Sequence, residues 1–192
     1  MNAPLPASAL SEPCPESSFE PLADVVDSFI TSYGWPVSTE NGLPKIENRV
    51  WTEDPGGPNL LSGQDDGPSA MIPLGDQVGL QQFGVHLERL PPRSRSSHRH
   101  WHETEDEFVY ILSGELVLIE ETETILRTGD AAGWRAGSAI AHCLENRSSA
   151  DAVMLVMGSR ALSGAVHYPD HDVIMYHDPS GRRFTRLDGT PI

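Results

Sequence analysis

Ser97-His98-Arg99-His100-Trp101-His102-Glu103-Thr104-Glu105-Asp106-Glu107-Phe108-Val109-Tyr110-Ile111-Leu112-Ser113-Gly114 carries a strand rhythm and a set of metal-ligating side chains in one run. In an extended strand, residues two apart face the same way, so His100 and His102 point together. Four residues then leave room for a turn before Glu107 opens the next strand, over 106–112. Ser113-Gly114 separates that strand from another at 115–121 as tightly as a hairpin does. Two imidazoles and a carboxylate that converge suit Zn, Fe, Mn, Co or Ni. His142, from a later strand, is the expected fourth ligand.

Working outward, further short segments alternate or run apolar at 78–90, 123–128, 131–135, 140–147 and 152–158, with turn residues between them. Many short, closely spaced strands without a βαβ rhythm predict an all-β sandwich or barrel. Residues 1–16 are proline-rich and read as a flexible lead. Ser17 and Glu20 have capping-box spacing, and Phe19, Leu22, Val25, Val26, Phe29 and Ile30 repeat with helical period up to Gly34 and Pro36, predicting a helix with one apolar stripe. The Gly-, Pro- and Asp-rich run at 53–70 reads as loop. The expected order is thus a lead (1–16), a helix and loop arm (17–70), a barrel (71–160) and a C-terminal extension packed on it (161–192), with one last strand near 183–187.

The 192 residues carry 28 acidic against 13 basic side chains, a net charge of −15. That balance excludes a phosphate-backbone binder and an anionic membrane surface as partners. A small anionic ligand remains compatible, because Lys45 is the one lysine and the other basic residues are arginines, which match planar anions well. The first fifteen residues hold no basic residue and no long apolar run, and nothing approaches 18 consecutive apolar residues. The expectation is a cytoplasmic protein without a Cys14–Cys143 disulfide.

His100-Trp101-His102, four residues, Glu107, six residues and Gly114 resemble the first signature of the cupin superfamily. Gly129-Asp130, then Gly137, His142, three residues and Asn146 resemble the second. Only fourteen residues separate Gly114 from Gly129, similar to the spacing of small single-domain bacterial cupins. His167-Tyr168-Pro169-Asp170 and Asp188-Gly189-Thr190-Pro191 extend the likeness, which covers about residues 72–192. The resemblance implies a double-stranded β-helix, a jelly-roll barrel, and the N-terminal helix and arm read from the residues lie outside the likeness. It implies one divalent metal held by His100, His102, Glu107 and His142, with two positions open to water or substrate. The second signature usually has Pro where Arg135 stands, and four residues rather than two separate Gly137 from His142.

Such a site fits an enzyme acting on a small oxygen-rich metabolite that chelates the metal. The resemblance offers dioxygenase chemistry if the metal is iron, and isomerisation of sugars or sugar phosphates with several metals. The alternative is a small-molecule-binding or sensor protein without catalysis. His98, Glu103 and Tyr110 are the candidate acid–base groups; Arg99 and Arg135 are the candidate substrate-anion clamps. Trp101 is expected to face away from the ligands. The apolar helix and arm would serve a homodimer.

Overall fold

Glu107–Ser113 shows why these residues form strands. Glu107, Val109 and Ile111 turn inward while Phe108, Tyr110 and Leu112 turn outward, the period of two that a half-buried strand requires. The computed structural model describes residues 46, 50–59 and 61–192. The proline-rich lead, Cys14 and the helix expected from Ser17 to Gly34 lie outside the described residues.

Thirteen strands follow one short helix-interrupted path: β1 (Thr52–Asp54), β2 (Ser69–Ile72), the single turn α1 (Leu74–Gln77), β3 (Phe83–Leu90), β4 (Trp101–His102), β5 (Glu107–Ser113), β6 (Glu115–Ile119), β7 (Glu123–Arg127), β8 (Ala131–Trp134), β9 (Cys143–Glu145), β10 (Ala152–Ser159), β11 (Gly164–Tyr168), β12 (Val173–Asp178) and β13 (Gly181–Thr185). All pairings are antiparallel. They build a six-stranded sheet in the order β1-β2-β3-β10-β5-β8, a three-stranded sheet β7-β6-β9 and a four-stranded sheet β13-β12-β11-β4. The run read as loop at 53–70 therefore holds most of β1 and the start of β2, and the polar C-terminal extension holds three strands where one was expected.

The smaller sheets are joined by the segment 93–103, which is irregular as far as β4. Arg95 bridges Glu145 and His100 bridges His142. His100 N–H donates to the His142 carbonyl at 3.1 Å and His142 N–H returns the bond at 2.9 Å. Glu103 N–H then donates to the Ala165 carbonyl on β11. One long layer thus faces the six-stranded sheet.

Between the layers lies a core of Leu90, Val109, Ile111, Met154 and Val156 from one side and Leu116, Leu118, Leu126 and Leu144 from the other. Each such side chain stabilises the fold by about 1.5–3 kcal/mol on burial. Gly114 makes the β5–β6 turn at φ +83°, and a Cβ there would sit 2.8 Å from the Ala152 Cα, so the turn admits only glycine. Asn146 is fully buried, with Nδ2 donating to the carbonyls of Leu90 and Ala150. That use of both amide hydrogens removes the Asn146-Arg147-Ser148 sequon as an accessible acceptor. Cys143 is a free, buried thiol. No helix among the described residues is long and apolar enough to cross a membrane.

Candidate metal centre

Three short elements bring four side chains to one end of this core. β4 and the residue before it carry His102 and His100, β5 opens on Glu107, and His142 immediately precedes β9. His102 and Glu107 meet with Nε2 and Oε2 3.3 Å apart. His100 Nε2 lies 3.1 Å from His102 Nε2, and His142 Nε2 lies 3.1 Å from Glu107 Oε2. His100 Nε2 to Glu107 Oε2 is 3.9 Å. His100, His102 and Glu107 form a group able to hold a metal ion, and His142 stands against Glu107 beside them.

The outer ring nitrogens fix what the inner ones offer. His100 Nδ1 sits 2.9 Å from the His98 carbonyl, and His142 Nδ1 sits 3.0 Å from the Ile140 carbonyl. A carbonyl only accepts, so both Nδ1 atoms carry the proton and both Nε2 atoms present bare lone pairs. His102 Nδ1 faces Glu105 Oε2 at 3.4 Å, also an acceptor. The lone pairs of His100 and His142 and a carboxylate therefore converge, and His102 turns its Nε2 toward Glu107 beside them. An octahedron with bonds of about 2.1 Å has edges near 3.0 Å, and three of the four separations lie close to that. The donor set fits a divalent cation.

The titration of these groups tells the same story. Burial pushes His100 down to about 4, keeping it neutral. Burial opposes charge on His102 too, but Glu107 on one nitrogen and Glu105 on the other hold it above its ordinary value. Burial would raise Glu107, yet contact with His102 and His142 outweighs it and holds the carboxyl well below the usual range.

Comparison with known proteins agrees with this geometry. The cupin domain family model matches residues 86–158. A sugar phosphate isomerase of the cupin superfamily from Silicibacter pomeroyi is 40% identical, with a TM-score of 0.65 over 77% of this chain and 92% of its own. A candidate sugar phosphate isomerase from Acidithiobacillus ferrooxidans is 30% identical, with a TM-score of 0.61 over 65% of this chain and 80% of its own. This chain belongs to the cupin superfamily. Its two facing antiparallel layers are the double-stranded β-helix that its sequence resemblance implied. No curated protein matches this cupin.

The other expected site residues of the cupin do not join the cluster. Tyr110 is three residues from Glu107 on β5, so the alternation turns it to the outer face, where it is 38% exposed. Glu103 follows His102 and points the other way, 3.3 Å from His167 Nε2. Its neighbour Trp101 stacks flat on the same His167, centroids 3.8 Å apart, facing away from the ligands as expected. His98 escapes the rule of two because residues 94–100 are not a regular strand. It is buried, with Nε2 3.0 Å from Ser62 Oγ and its ring against His171. Arg99 grips both oxygens of Asp170 at 2.8 and 2.9 Å. His98 and Arg99 line a separate cavity of about 320 Å³, walled also by Cys143 and Ile119 on the outer side of β9 and β6. Arg135 is exposed in the loop after β8.

Three residues of this cupin escaped the sequence reading. Trp134, paired with Glu107 across β5 and β8, stacks on His142 at 3.6 Å with its Nε1–H donating to Glu120 Oε1 at 2.7 Å. Glu105 faces His102 with one oxygen and accepts from Ala161 N–H at 2.9 Å with the other. Tyr168 lies with its ring 5.7 Å from that of His100. Burial raises its pKa, so the phenol stays protonated. Trp134 was legible by alternation with the inward Ala132. Tyr168 had no such signal, because its strand was not recognised.

Proposed function

We propose that this cupin is a metal-dependent isomerase acting on a small hydroxylated carbonyl compound of the sugar or sugar-phosphate class. The observation that carries it is the convergence of three imidazoles and Glu107 beside a protonated Tyr168. Two relatives of 40% and 30% identity described as sugar phosphate isomerases support the reaction class.

His100, His102, Glu107 and His142 would hold one divalent ion, whose chemistry is to polarise a chelating carbonyl and hydroxyl. The chain's own part is orientation. Glu105 and the carbonyls of His98 and Ile140 hold the three rings with their Nε2 atoms inward. Trp134 fixes the plane of His142 and closes that side to water. Tyr168, protonated, donates to a substrate oxygen in front of His100.

The test is carbon-bound proton exchange. Protein stripped with chelator and reconstituted separately with Fe, Mn, Zn, Ni and Co is incubated with aldose and ketose phosphates in D2O and followed by NMR. Deuterium incorporation next to the carbonyl, lost on stripping and restored by a metal, is expected. Because His102 holds its proton above the ordinary histidine value, metal affinity falls as pH drops below neutrality. Full activity in stripped protein overturns the reading. Oxygen uptake confined to the iron form, without exchange, would replace it with dioxygenase chemistry, which the same ligand set admits.

The expected homodimer also belongs here as a proposal. Phe108, Tyr110 and Leu112 are exposed on the outer face of the six-stranded sheet, beside Leu87 and Leu155, a patch suited to a second copy. The mass of a single chain in sedimentation would remove it.

A further inference from the structure

We infer that the β11-β12-β13 face carries the subsite for the substrate's anionic end, with Arg182 as its anchor. This deepens the isomerase reading and rests on it.

The register places the residues. His102 pairs with Val166, which pairs with Met175, which pairs with Phe184. Directly paired residues share a face, and so do residues two apart. Tyr168, Met175, His177, Phe184 and Arg182 are therefore on the face of His102. The packing of Tyr168 beside His100 confirms which face that is.

Arg182 is chemically available. Other arginines are tied to carboxylates, Arg99 to Asp170 and Arg147 to Glu123. Arg183 belongs to the opposite face and lies over the Tyr176 ring at 3.8 Å. Arg182 is exposed on the edge strand β13, with no carboxylate partner among the described residues, and pairs across the sheet with His177. In a chain of net charge −15, a local cation offsets the repulsion that an anionic metabolite meets. A guanidinium is the group that grips a phosphate or carboxylate at two oxygens. Phe184, 37% exposed, and Met175 lie between Arg182 and the cluster as an apolar floor. The ligand this face fits has a chelating carbonyl and hydroxyl at one end, a carbon backbone in the middle and an oxyanion at the other.

The experiment is calorimetric titration of zinc-reconstituted protein with ribose, ribose 5-phosphate, riburonate (the C5 carboxylate, which keeps the C1 carbonyl) and inorganic phosphate. Wild type should prefer one anionic ribose derivative over ribose, and whichever it prefers identifies phosphate or carboxylate. Arg182→Gln should reduce that preference about 10- to 100-fold, as loss of a charged hydrogen-bonding pair does, with metal content unchanged. Arg182→Lys should keep part of it, and Arg183→Gln all of it. Inorganic phosphate should compete in the wild type and not in Arg182→Gln if phosphate is the anion. No preference for either anion in the wild type, or a preference that survives Arg182→Gln, overturns the subsite. Arg182-dependent binding without proton exchange would sink the isomerase reading alone. Exchange unaffected by Arg182→Gln would sink the subsite alone.

Discussion

The metal cluster has two unlike walls. The wall made by β5, β8 and the end of β9 is buried and aromatic: Trp134 lies flat on His142 and reaches Glu120, and Val109 and Leu144 are almost wholly covered. The wall made by β11, β12 and β13 is open and mixed, presenting Tyr168, His177, Phe184 and Arg182. In the first wall Trp134 is held by both the His142 stack and the Glu120 hydrogen bond. In the second only β13 is a sheet edge, and its Arg182 and Phe184 are exposed. A site built this way separates two tasks: a rigid side holds the donor atoms in place, and an open side meets whatever the donor atoms are to act on.

That division predicts a graded response. Trp134→Ala strikes the closed wall and should have the largest effect. It empties a buried indole site, costing about 3–5 kcal/mol of stability, and frees His142, so thermal denaturation should shift downward and metal content fall together. A stable variant with full metal content would show that the stack is incidental. Glu105→Gln is milder. The glutamine keeps an oxygen for Ala161 N–H but loses the carboxylate at His102, so metal affinity should drop about 10- to 100-fold with little change in melting. Competition with a coloured chelator reads it directly, and an unchanged affinity would mean that Glu105 serves the 160–163 loop alone. Tyr168→Phe strikes the open wall and should be smallest. Metal binding and stability should hold, while exchange turnover falls about tenfold from the lost hydrogen bond. Loss of metal in this variant would erase the distinction between the walls.

The two walls also differ in how far the sequence showed them. His100, His102 and Glu107 were readable because the period of two and a short turn are local properties. His142 needed the family resemblance, since only the backbone bridge to His100 brings it close. The lengthened loop after Gly137 is absorbed there: Gly137 N–H donates to the His102 carbonyl and Ala136 N–H to Asp106. His98 misled because a spacing of two has meaning only inside a regular strand. Tyr110 was settled by its spacing of three from Glu107. The C-terminal wall was the least legible. Its strands mix His, Arg and Asp with apolar residues, their outer faces are themselves partly covered, and pairing partners distant in sequence leave no local pattern. Ile174 and Thr185 are buried on the face opposite to Tyr168, so neither face reads as cleanly apolar.

The hydrogen-bonded bridge between His100 and His142 is also the seam where the two smaller sheets become one layer. With both imidazoles as proposed ligands, an ion at this point is a cross-link between distant parts of the chain, comparable to a clasp at the waist of the barrel. Taking it away would leave the seam to backbone bonds alone, the His100–His142 pair and those of Arg93, Ser94 and Ser96 with Leu144 and Asn146, and the His100–His142 end should open more readily. Amide deuterium exchange at His100 and His142 would then report occupancy of the site as faithfully as any spectroscopic signal from the metal itself.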